Sequence, residues 1–396
     1  MISRLATIFV ALGSCVSCGA ASAPGSDGLP APDLSYRGVR TSKVLGWPAG
    51  RTPAVPPGFA ITAWADHIPD PRKVYFAPNG DAFIADSRSG RVLLLRDRDG
   101  NHYPDHGEVY AEGLNYPYGM LVLGDSFYIG AADAVWKFPY KAGDLHAAAG
   151  RKILTLPDHG HVTRNLCASR NGQKLYVAVG SLSNVADAGM DKEFHRANIL
   201  EINPDGSGLR VYAAGLRNPV GLALRGDTLW TTVNERDMLG ADLPPDYLTH
   251  LVDGSFYGWP YAYWGAHEDP RRAGERTDMV RRTTVPDAAL GAHVAPLGFA
   301  FYDAALLPAQ YRGGVFVAEH GSWNRPQFAG YKVVYLPFAH GAPGGPPQDF
   351  ATGFIADGDK SEVYGRPADV AIAPDGALLI ADDAGQTIWR VVPRAP

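Results

Sequence analysis

The chain is 396 residues long, with 46 glycines, 32 prolines and a formal net charge of -5. Such a composition suits many short strands and tight turns better than long helices. The acidic balance argues against nucleic acid or anionic lipid as the main partner, because both select basic surfaces.

In chain order, the first element reads as an export signal over residues 1–23. Arg4 gives a positive start, and Leu5 to Leu12 form an apolar stretch too short to span a bilayer as a permanent helix. Two endings stay open. Ala21-Ser22-Ala23 offers small residues for ordinary cleavage, whereas Leu12-Gly13-Ser14-Cys15 resembles a bacterial lipobox in which Cys15 carries a lipid anchor. Either ending predicts an exported protein, free in the periplasm or lipid-anchored to the membrane facing it. Cys15 and Cys18 fall in this segment with no following His, so they make no haem-attachment motif. Cys167 alone is left for the body, which excludes a disulfide framework. Residues 24–57 are rich in Pro, Gly and Ser and read as a linker followed by extended chain.

The body is read as a single domain over 58–396, opening on the alternating strand Phe59 to Trp64. A repeat follows, with the pattern Pro-x-x-apolar-x-apolar, a turn of Gly with Asn or Asp, and a second apolar strand. Its copies begin at Pro71, Pro117, Thr163, Pro219, Pro296 and Pro367. Several run on into a third strand, such as Arg91 to Leu95 and Thr387 to Val391. Six copies of an antiparallel unit predict an all-β fold, a six-bladed β-propeller with four-stranded antiparallel blades. Each blade has two apolar faces that only its neighbours can cover, and ring closure leaves only short edges. Phe59 to Trp64 is placed to complete the last blade. A β-sandwich, the other option, does not explain six copies.

Equivalent positions in the blades lie on a ring about the axis. The residues one and two places before each copy's first position therefore converge at the channel mouth. They include Asn115, His161, Arg217, Asn218 and Arg366. Such a set suits an anionic, oxygen-rich ligand, since arginine forks onto carboxylates and a neutral histidine accepts a proton. The opening of the third copy, Asp158-His159-Gly160-His161-Val162-Thr163-Arg164, is its densest polar stretch. After Val233 the insertion Asn234 to Asp246 carries hard oxygen donors of the kind Ca²⁺ prefers, although a solvated acidic loop reads the same way. Zinc is disfavoured, because His159 and His161 would point to opposite sides of a strand and no Cys cluster helps.

Gly215-Leu216-Arg217-Asn218-Pro219-Val220-Gly221-Leu222, the His161 region, Asn234 to Pro245 and Tyr257-Gly258-Trp259-Pro260 together resemble the quinoprotein glucose/sorbosone dehydrogenase family. Gly321-Ser322-Trp323-Asn324-Arg325 looks most like its sorbosone dehydrogenase branch. The resemblance runs from about Gly58 to Val392. It implies a six-bladed propeller that uses pyrroloquinoline quinone (PQQ) and Ca²⁺ to oxidise an aldose or sugar-derived aldehyde at C1, passing electrons to an external acceptor such as a quinone or cytochrome. It makes His161 the general base, with Arg217 beside the quinone carbonyls. It gives the cofactor Arg217, Asn218, Arg366 and Arg325, and gives the substrate Asn115, His159 and Trp323. It gives the metal Glu235, Arg236, Asp237, Gly240 and Asp242. Two departures stand out. Ala368 replaces a second arginine that relatives often carry, and Ser181 replaces a carboxylate that orients the base, leaving Asp158 or a backbone carbonyl for that task. A metal-dependent lactonase-like hydrolase and a non-catalytic ligand-binding propeller are the alternatives on the same architecture.

Overall fold

The computed structural model describes residues 28–394, so the expected signal and the Cys15 anchor lie outside the described residues. Among these residues there is one α-helix, Thr277–Arg281, and no helix long and apolar enough to cross a membrane.

The repeats fold as six four-stranded antiparallel sheets in a propeller-like arrangement. The first strands are Pro71–Phe76, Gly119–Leu123, Leu166–Ala168, Asn218–Arg225, Pro296–Phe301 and Pro367–Ile372. Each packs against the first strand of the next sheet, and Pro367–Ile372 packs back against Pro71–Phe76. The second strands are the most buried, as the apolar runs require: Ala82–Asp86, Ser126–Ala131, Val315–Glu319 and Leu378–Asp382 are buried throughout. Both faces of such a strand meet a neighbour, so alternation gives way to continuous hydrophobicity.

Between sheets the contacts are aromatic. Phe83 sits 4.7 Å from Phe127 of the next sheet and 4.8 Å from Tyr110 of its own, ring centre to ring centre. Burial of such rings dominates core energetics. The last sheet holds only three strands from the C-terminal repeat. Phe59–Ala65 supplies the fourth, pairing with Thr387–Pro393 in a register that sets Phe59 against Pro393.

The segment expected as linker is hydrogen-bonded to the body from Asp33 onward. Asp33 N–H donates to the Leu239 carbonyl at 2.9 Å, and Arg40 N–H donates to Trp323 at 2.7 Å. Trp47 then reaches Asp382 with its indole N–H at 2.6 Å. Cys167 is half-buried and unpaired, its thiol pushed up to about 12 by burial.

Candidate functional site

The residues before the first strands and after the second strands meet at one cavity of about 400 Å³. That size suits a compact polar ligand. Five of the six positions immediately preceding a repeat's first residue reach its wall: Tyr116, Val162, Asn218, Ala295 and Arg366.

His161 lines the cavity. Its Nδ1 lies 2.9 Å from the Ser181 carbonyl, which can only accept, so Nδ1 carries the hydrogen and Nε2 is the basic nitrogen. The same carbonyl accepts the His161 backbone N–H at 3.0 Å, and Ser181 N–H donates to the Arg217 carbonyl at 2.8 Å. Arg164, fully buried, braces the backbone by donating to the His161 carbonyl at 2.6 Å. Burial and the Arg217 cation lower the imidazole to about 3, so it is neutral across the ordinary pH range. Two glycines make this approach possible. A Cβ on Gly160 would fall 2.5 Å from Leu182 Cα, and one on Gly180 would fall 2.5 Å from His161 Cβ.

Arg217 is buried beside it. Its guanidinium donates to the carbonyls of Glu235 (2.6 Å) and Asn184 (3.2 Å) and pairs with Asp237 at 2.9 Å. Asp237 also faces His293 at 3.6 Å. Burial works against the Asp237 charge, but Arg217 and His293 together hold its carboxyl below the usual range. Glu235, without a hydrogen-bond partner at Oε1, is pushed up to about 8 by burial and is therefore largely protonated at neutral pH. The buried Asn218 Oδ1 is likewise unpartnered.

Across the cavity stand Arg366, Arg72 and His320. Arg366 is aimed by its own donations to the His320 and Gly321 carbonyls, at 3.0 and 3.1 Å. The buried Asp382 accepts its backbone N–H at 2.7 Å. Asp383 binds Arg72 at 2.5 Å and His320 Nε2 at 2.8 Å. Burial opposes the Arg72 charge, yet Asp383 holds the guanidinium above its ordinary value, and its Nε stays buried without a partner. Arg72, Tyr116, His293, His320 and Asp383 were not among the residues expected from sequence. Arg72 provides a second arginine beside Arg366 where position 368 is alanine.

Of the residues expected here, His161, Arg217, Asn218, Arg366, Trp323, Glu235 and Asp237 line the cavity, and six do not. Asn115 is exposed, its carbonyl tied to Ala132 N–H at 2.7 Å, while the next residue, Tyr116, takes the wall position with a φ of 51°. His159 is exposed and faces Asp158 at 3.4 Å. Arg325 pairs with Asp242 at 2.7 Å, and neither lines the cavity. Arg236 is buried against Asp269 at 2.8 Å, and the Gly240 carbonyl accepts from His293 Nε2 at 2.9 Å. Backbone carbonyls and acidic side chains of the expected metal loop are turned to Arg217, His293, Asn184 and Arg325, while Glu235 Oε1 is left without a partner. Among the described residues no three His, Cys, Asp or Glu side chains are grouped to hold a metal. These residues do not fit a preformed Ca²⁺ site.

A wall of three arginines with two neutral imidazoles can bind an anionic, oxygen-rich ligand and can accept a proton from a hydroxyl held beside it. Comparison with known proteins bears on what that ligand is. The TrAA12-like family model matches residues 53–245 and 254–394. An uncharacterized protein of Borreliella burgdorferi is 28% identical over 85% of this chain and 90% of its own length. The pyrroloquinoline quinone-dependent pyranose dehydrogenase of Coprinopsis cinerea is 25% identical over 72% of this chain, which spans only 45% of that enzyme. Its PQQ domain in the holo form superposes with a TM-score of 0.74, at 22% identity, covering 88% of this chain and 99% of the domain. The calcium structure of the family AA12 enzyme from Trichoderma reesei gives 0.74 at 19% identity, covering 89% of this chain and 98% of that one. The soluble aldose sugar dehydrogenase of Escherichia coli in its apo form gives 0.61, covering 85% of this chain and 100% of that one, at 19% identity. These likenesses place the fold with that of PQQ-dependent sugar dehydrogenases.

Proposed function

The chain belongs to the TrAA12-like family, and from that premise we propose that it is a quinoprotein dehydrogenase oxidising a sugar or sugar-derived aldehyde. Its six sheets are then the blades of a closed propeller. The observation that carries the reading is the pair of unpartnered buried polar atoms, Arg72 Nε and Asn218 Oδ1, in a cavity that Arg217 and Arg366 also line. A site with polar groups left unpaired is one built around a polar ligand. PQQ, planar and tricarboxylate, fits that donor set: Arg72 and Arg366 would hold carboxylates, and Arg217 and Asn218 the polar edge nearer His161.

When bound, the cofactor supplies the hydride acceptor. This chain's residues do the rest. His161 Nε2 removes the proton from the hydroxyl at C1 of an aldose or hydrated aldehyde. The Ser181 carbonyl keeps the hydrogen on Nδ1 and fixes the ring for that transfer. Arg217 lends positive charge where negative charge develops on oxygen. Trp323, partly exposed at the wall, gives the sugar an apolar face. No step is assigned to calcium, because the described residues group no set of side chains to hold it.

Titration of the apo-protein with PQQ, followed by dye reduction with a panel of aldoses, pyranoses and aldehydes including sorbosone, tests this reading. Absence of any PQQ-dependent spectral change sinks it, whereas binding without turnover on any substrate points to a ligand-binding propeller. Export, with or without a lipid on Cys15, completes the proposal. Cell fractionation of wild type and Cys15→Ser decides the anchor: equal release into the periplasm excludes lipidation.

A further inference from the structure

One of the three histidines that line the cavity, His320, has no assigned work. His320 follows the buried strand Val315–Glu319 and lines both the main cavity and an adjoining lobe of about 350 Å³. Its Nε2 lies 3.0 and 2.8 Å from the two Asp383 oxygens, which only accept. The hydrogen is therefore on Nε2, and Nδ1 is the free base. This is the opposite tautomer to that of His161. Arg72 reaches the same carboxylate and lies 3.4 Å from Nε2, while Arg366 donates to the His320 carbonyl. Asp70, Tyr116 and Arg88 line the same lobe, and Asp382 sits behind the Arg366 backbone.

We propose that His320, positioned by Asp383, is a second proton-handling residue, brought into action when an anionic cofactor neutralises Arg72 and Arg366. The inference rests on the quinoprotein reading above. In the empty cavity burial, then Arg366 and Arg72, lower His320 to about 4, and only Asp383 opposes them. Carboxylates laid on the two arginines cancel the repulsion but leave Asp383 in place, so the imidazole regains basicity.

The chemistry supplies a use for it. In the reductive half of turnover the hydride leaves carbon for the cofactor, and the hydroxyl proton goes to His161. In the oxidative half two electrons pass to an external acceptor dye, and the hydrogen that arrived as hydride must leave the cofactor as a proton, while His161 returns the hydroxyl proton to water. His320 Nδ1 takes that proton and releases it to water through the adjoining lobe, whose rim residue Arg88 is exposed.

Calorimetry of PQQ binding to the apo-protein at pH 5.5, in two buffers of different ionisation enthalpy, tests the inference without turnover. Wild type and His161→Gln take up protons on binding, at more than about half a proton per site, and His320→Gln loses most of that uptake. Binding without uptake in wild type, or uptake unchanged in His320→Gln, overturns the inference but leaves the quinoprotein reading standing. Failure of PQQ to bind overturns both. In stopped flow, His320→Gln keeps cofactor reduction by sugar within about threefold and slows reoxidation by dye about tenfold or more, with a solvent isotope effect on reoxidation at least as large as in wild type. Equal slowing of both halves would mean that His320 only shapes the cofactor site, and would also overturn the inference.

Discussion

Two of the three histidines that line the cavity, His161 and His320, are held by different means. His161 leans on a backbone carbonyl, Ser181, which no side-chain substitution can remove. His320 leans on a carboxylate, Asp383, that also neutralises Arg72. A carbonyl fixes a tautomer and adds little charge; a carboxylate fixes it and raises the affinity for a proton. The substrate side is thus built for geometry, and the anion side for electrostatic balance.

Substitutions can break this contrast, starting with the largest effect. His161→Ala removes the base and lowers kcat about 10²–10⁴-fold, with the PQQ dissociation constant changed only a few-fold; kcat and a binding titration check it. Asp383→Ala strands a buried guanidinium beside His320 and destabilises the fold by about 3–5 kcal/mol, measured by urea unfolding. Arg366→Leu loses a charge-assisted contact worth about 1.5–3 kcal/mol, so PQQ binds roughly 10- to 100-fold more weakly. Smaller still is the pH response. Both imidazoles sit below their unfolded value of about 6.5, so the unfolded chain binds more protons. Stability of the apo-protein is then complete above that value and falls as pH drops toward 4. Melting curves of wild type and His320→Gln sharpen this: the variant loses part of the slope. At the bottom, Ser181→Ala keeps the carbonyl and leaves kcat within about threefold, and Arg325→Ala leaves PQQ affinity unchanged.

The repeat was legible because proline starts and Asn-Gly or Asp-Gly turns mark strand edges regardless of what lies between them. His161, Arg217, Asn218 and Arg366 were legible from their register against those starts. The same register misled at Asn115, because Tyr116 turns into a positive φ and takes the wall position. Arg72 escaped because it stands just after a repeat start rather than before one. His320 and Asp383 escaped because neither precedes a first strand. They immediately follow the second strands Val315–Glu319 and Leu378–Asp382, where Gly180 and Glu235 stand in two other sheets. Reading that position across the copies would have found both. The metal loop misled for a different reason: a run of oxygens says nothing about which cations of the chain itself will claim them.

The pairing of Phe59–Ala65 with Thr387–Pro393 also sets a schedule. Arg394 donates through Nε to the Phe59 carbonyl across 335 residues of sequence. At translation rates of about 5–20 residues per second, the first strand of the body waits roughly 15 to 70 s for its partner. Throughout that interval its unpaired edge is open to other strands. Thr387–Pro393 is thus the stretch that ends the exposure, and losing it would harm a nascent chain more than its small size suggests.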